Sequence, residues 1–161
     1  MPAVAYQWWV FLHIVGAFGF VMAHGVSASV AFRLRKERDR ARIRQLKEVS
    51  GSSLITTYVS LVLLLVGGIW AAWVGPYRHS WWPWVALGIL ILLMIEMGVV
   101  ARPYYEKVAE ATQMRESGVP RKSDEELEQL LRSPTGVINS VIGFAGLLVI
   151  IWLMIFKPGV G

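Results

Sequence analysis

Four apolar runs, each about as long as a helix needs to cross a bilayer, dominate what this chain can fold into. They cover about residues 8–32, 54–74, 82–101 and 136–156. A helix rises about 1.5 Å per residue, so roughly 20 residues cross the hydrocarbon core. No water is available there to bond backbone amides, so each run must satisfy its own amides as a helix. The whole chain, residues 1–161, is long enough for one domain. The expectation is therefore all-α: a single integral membrane four-helix bundle. With 55% hydrophobic residues and a mean hydropathy of +0.51, lipid is the natural solvent for such a chain. The first run does not read as a cleavable signal peptide. It lacks a basic flank, carries His13 and His24, and is too long.

Charge gives the bundle a direction. Of the 16 basic and 11 acidic side chains, all but Arg78, Glu96 and Lys157 fall in two stretches, Arg33 to Glu48 and Arg102 to Arg132. Arg and Lys beside span ends mark the cytoplasmic side, so both charged connections are expected inside and both termini outside. Tryptophan gives the same direction. Trp8, Trp9, Trp70, Trp73, Trp81, Trp82, Trp84 and Trp152 all fall at the opposite span ends, as an outer aromatic belt would. Tyr104 and Tyr105 are expected at the inner interface. A pI near 9.8 raises nucleic acid as a partner. Here the basic residues flank apolar spans, which favours anionic lipid at Arg33 to Lys47 and no nucleic acid.

The connections carry local signals. Residues 33–50 extend the first two helices, with Asp39 as the N-cap of the second. The third helix is expected to continue from Tyr104 to Ser117, where Gly118, Val119 and Pro120 end it. Ser123 and Glu126 then form an S-x-x-E capping box that opens a short helix through Leu131. Its Leu127, Leu130 and Leu131 are expected on the membrane surface.

Ionisable groups inside a membrane are costly and mark sites first. Three qualify: His13 and His24 in the first span and Glu96 in the third. Counting from span centres places His24 and Glu96 at one level, roughly 6–7 Å to the cytoplasmic side of the midplane. Thr57 and Ser60 of the second span reach that level, as do Asn139 and Ser140 of the fourth. Ser27 and Ser29 fall just below. The candidate binding set is His24, Glu96, Ser27, Ser60, Asn139 and Ser140. Its readings are a register-locking polar cluster, a proton-relay pair, a haem site or the floor of a small-solute path.

His13 and His24 also share a helix face, since eleven steps of 100° return to within about 20°, roughly 16 Å along the axis. That spacing suits b-type haem on His13 or His24, with Met154 a further axial candidate near the depth of His13. The chain has no cysteine, so thiolate metal sites and cysteine nucleophiles are excluded. No clustered methionines suggest copper, and no Ser-His-Asp set or HExxH run suggests hydrolysis. A catalytic role is not indicated. Gly16, Gly19 and Ala23, Gly67 and Gly68, and Gly136, Ser140, Gly143 and Gly146 form small-residue rows. These let helices approach within the bundle or across a homodimer.

The run from Phe11 to Gly16 (FLHIVG), Ala23 to Ser27 (AHGVS) and Ala31 to Asp39 (AFRLRKERD) resembles an uncharacterised family of bacterial four-span integral membrane proteins of unknown function. Residues 64–70 (LLVGGIW), the Pro103-Tyr-Tyr segment and the Leu147 to Pro158 end extend the resemblance over nearly the whole chain. The first span is also similar to copper-resistance D-like proteins and to the four-helix membrane protoporphyrinogen oxidase, although the latter's Tyr-Leu-Pro-Arg tract is absent here. The resemblance implies four spans in a bacterial inner (plasma) membrane and no established reaction. The expected function is an accessory protein or complex subunit with a polar site in the inner half of the bundle. The alternatives are a haem-binding redox protein and a small-solute or proton pathway.

Overall fold

The computed structural model describes residues 3–159. Helix α1 spans Ala3–Leu34, α2 Arg40–Val74 and α3 Trp82–Glu96. A π-helical turn, Met97–Ala101, joins α3 to α4, Arg102–Ala111. The amphipathic α5, Asp124–Arg132, precedes α6, Thr135–Phe156. Four helical stretches are long and apolar enough to cross a membrane. They are apolar on nearly all sides, and side chains such as Phe18, Met22, Ile55 and Leu92 stand well exposed, as lipid-facing residues do.

The π turn has an identifiable cause. Pro103 has no N–H, and in an α-helix its ring would collide with the carbonyl of Val99. Widening the preceding turn relieves this, and the Arg102 N–H bonds back five residues to Met97 O. The helix thus continues through the proline with a local change of register.

The tightest contact is the antiparallel pair α1–α2, where glycines let the backbones touch. A Cβ at Gly16 would run into Leu64 N and Ser60 O, and one at Gly67 would stand 2.6 Å from His13 N and 2.9 Å from Trp9 O. Helix α6 packs mainly on α3 and then on α1. All four spans meet around Phe20, Leu90 and Leu147, with Leu61, Leu64 and Leu65 of α2 closing the cluster. Near the chain termini, Trp82, Ala86 and Leu153 form a second cluster with Tyr77 and Met154. Trp82 stands at the span end where the sequence put it, but buried against α6 and not facing lipid. Lys157 ties off this end, with Nζ donating to Tyr77 Oη at 3.0 Å.

The charged end has a small core of its own. Val30, Leu34, Ile43, Tyr104, Val108, Leu127 and Leu131 are buried together, with Leu46, Tyr105 and Leu130 packed against them. One expectation is corrected here. Leu127 and Leu131 do not lie on a membrane surface, because α5 folds back over the helix ends and buries them. Tyr104, at the charged end as expected, is buried under α5, its hydroxyl 3.4 Å from Leu130 O. Local signals fare better. Asp39 caps α2 by accepting from Ala41 N at 2.8 Å, and the Ser123–Glu126 capping box is formed in both directions. Helix α4 ends at Ala111, short of Ser117, where the Thr112 hydroxyl turns back to Ala109 O at 2.8 Å. A tight turn with Gly118 at φ 76° follows, its flanks paired through Arg115 N to Val119 O. The Arg40 guanidinium locks the assembly, donating to Ala111 O at 2.5 Å, Lys122 O at 2.8 Å and Asp124 Oδ1 at 2.7 Å.

Candidate functional site

Helices α1, α3 and α6 bring His24 and Glu96 to one small cavity of about 10 Å³, lined also by Phe20, Leu93, Met97, Gly143 and Leu147. Gly143 makes room for the imidazole. A Cβ there would stand 2.5 Å from both Cε1 and Nε2 of His24. The ring also lies against the Ser140 backbone and edge-on to Phe144, with centroids 5.0 Å apart. Glu96 is the last residue of α3 before the π turn, so its position is coupled to the register change that Pro103 imposes.

The two groups share the cavity without a direct hydrogen bond. His24 Nε2 and Glu96 Oε1 are both buried and unpartnered among the described residues, and so is Asn139 Nδ2. Unsatisfied buried polar atoms cost about 1–3 kcal/mol each, so three in one region of a bundle point to a role. A cavity near 10 Å³ is at the threshold for one water molecule.

The other candidate residues divide into two groups. Asn139 and Ser140 are buried on α6, one turn from Gly143 toward the charged end, and Ser140 Oγ donates to Gly136 O at 2.8 Å. Ser60 is buried in the α1–α2 seam against Gly19, and Ser27 faces Ser50 of α2 across 3.5 Å. Thr57 bonds within its own helix, to Ser53 O at 2.9 Å, and Ser29 is exposed. None of these six residues lines the His24–Glu96 cavity, and Asn139 and Ser140 come nearest to it in sequence, one turn from Gly143. Gly143, Phe20 and Met97 do line it, and sequence reasoning gave them no part in the site. Only the four-residue spacing from Asn139 to Gly143 hinted that Gly143 belongs on that face.

His13 is seated elsewhere, with Nδ1 2.8 Å from Leu64 O. A carbonyl only accepts, so Nδ1 carries the proton and the ring serves as a clasp between α1 and α2, resting on Gly68. Met154, its candidate axial partner, packs instead with the Trp82 cluster of α3 and α6. At His24 the residues do not fit a b-type haem. Nε2 is pressed on Gly143, and the cavity is far below the roughly 300 Å³ at which small cofactor sites begin. Among the described residues no three of His, Cys, Asp and Glu gather as a metal site.

No curated protein and no solved structure matches the chain. The model of one family covers residues 8–158, nearly the full length. The chain therefore belongs to that family, described as predicted integral membrane protein (DUF2269).

Proposed function

We propose that this protein is a small accessory subunit of the bacterial inner membrane in which His24 and Glu96 hold one exchangeable proton inside the bilayer. The observation that carries this reading is the pair of orphaned buried atoms, His24 Nε2 and Glu96 Oε1, on residues from different helices that line one small cavity. With one proton between them, the imidazole and carboxyl are neutral as a set. The proton has two seats, as imidazolium beside carboxylate or as imidazole beside carboxylic acid. Either form places no net charge in hydrocarbon, where charge is expensive. A single bridging water accepts from one group and donates to the other, so a proton moves between helices without large motion.

In this reading the charged end faces the cytoplasm and both termini face outside, as the Arg and Lys content of the two connections favours. The basic residues from Arg33 to Lys47 sit at headgroup depth and attract anionic lipid. The small size of the cavity favours a proton over a larger solute as what the site handles. This reading is tested by infrared difference spectroscopy during a pH titration in lipid nanodiscs. A protonated-carboxyl band is expected in the wild type and lost in Glu96→Gln. A titration spectrum unchanged by that substitution overturns the reading.

A further inference from the structure

We infer that the His24–Glu96 cavity exchanges protons with the charged end of the bundle only, along the face of α6 that carries Gly136, Asn139 and Gly143. This inference rests on the proton-binding reading above and adds a direction to it.

The argument begins with the buried stripe of α6. Gly136, Asn139, Gly143 and Leu147 recur at three- and four-residue steps, so they stack on one face. Their chemistry changes along that face at the level of His24. Toward the charged end lie Gly136 and Asn139. Toward the other end lie Leu147 and then Leu153.

The polar half is a ladder one turn per rung. At Gly136 an added Cβ would stand 3.1 Å from Tyr104 Cε1 and 3.4 Å from the Tyr105 hydroxyl, so both tyrosines of α4 cover this rung. Asn139 follows, more than nine-tenths buried and with Nδ2 unpartnered among the described residues. Gly143, with the His24 imidazole on it, is the next rung. An asparagine amide donates through Nδ2 and accepts through Oδ1, so it can position water without taking a charge. The proton is carried by water: one water gives a proton to Glu96 and regains one from the next water toward the charged end.

The apolar half is closed. Phe20, Leu90 and Leu147 are each less than a tenth exposed and interlock with Leu61, Leu64, Leu65 and Met94. That layer offers no hydrogen-bond partner to a water or a proton.

The titratable and charged groups along the path are few. His24 comes from α1 and Glu96 from α3. Tyr104, Tyr105 and Glu106 come from α4. Lys47 comes from α2, with Nζ 5.0 Å from the Tyr105 ring centroid. Helix α6 contributes none. Lys47, Glu106 and Tyr105 thus stand where the path meets the charged surface.

The test uses the full chain in vesicles, inserted in one orientation and then in the other. A rapid pH drop is applied outside while the Glu96 carboxyl band is followed. Fast protonation is expected only when the charged end faces the drop. Asn139→Leu is expected to slow it about tenfold, the loss of one buried hydrogen-bond partner, and Asn139→Ser to restore much of it. Equal rates in both orientations, or an Asn139→Leu rate equal to wild type, overturn the one-sided path while leaving the proton site intact. A band that never titrates in either orientation overturns both.

Discussion

The imidazole of His24 rests on Gly143, so close that a Cβ at that residue would stand 2.5 Å from the ring's Cε1 and Nε2. Helix α6 thereby acts as the seat of the histidine that shares a cavity with Glu96. Gly143→Ala is expected to displace the ring and cost about 1–3 kcal/mol through overpacking. Gly25→Ala is the matched control, because nothing lies within 4 Å of a Cβ there. It should be neutral or gain about 0.5–1 kcal/mol from helix propensity. Denaturation in detergent measures both, and equal effects would remove the seat from the account.

The α1–α2 seam should be less forgiving than the seat of His24. At Gly16 the obstructing atoms are backbone, Leu64 N and Ser60 O, and cannot swing aside. Gly16→Ala is therefore expected to cost at least as much as Gly143→Ala, at the upper end of about 1–3 kcal/mol. It should also lengthen the His13 to Leu64 contact. A histidine NMR signal for His13 unchanged in the variant would argue against backbone contact there.

Arg40 predicts a local effect. Its side chain is 14% exposed while that of Asp124 is 87% exposed, so the guanidinium is the buried member and two of its acceptors are backbone carbonyls. Lysine cannot reproduce that fork. Arg40→Lys is expected to weaken the lock between α2, α4 and α5 by about 1–3 kcal/mol. Hydrogen exchange should rise between residues 111 and 124 and stay unchanged in the four spans. A uniform rise would mean the lock stabilises the whole bundle.

The capping box of α5 should respond to acid. The Ser123 backbone N–H, followed by Lys122, holds the Glu126 carboxyl below the ordinary carboxylate range. A carboxyl lowered in the folded state adds stability above its unfolded value and loses it as pH falls through the folded one. Amides at the start of α5 are thus expected to lose protection, relative to their intrinsic exchange rates at each pH, once pH drops below the usual glutamate value. Glu126→Gln should keep the cap and lose the pH dependence. An acid response that survives Glu126→Gln would move it to another carboxyl.

Much of the fold is legible in the order of residues. The four spans follow from the length of the apolar runs, and Asp39 and the Ser123–Glu126 box act within a few residues of themselves. The break at Ala111 and the burial of Leu127, Leu131 and Trp82 were not legible, because each depends on a surface supplied by a distant segment.

The candidate site divides along the same line. Sequence alone determined that His24 and Glu96 lie at one depth, because helix rise converts residue number into height. Helix rotation is not set by counting in a chain apolar on nearly all sides, so only tertiary packing decided which polar groups meet. It turned Ser27 and Ser60 into the α1–α2 seam and His13 onto Leu64. It left His24, Glu96 and, one turn below, Asn139 on the inner faces of three helices.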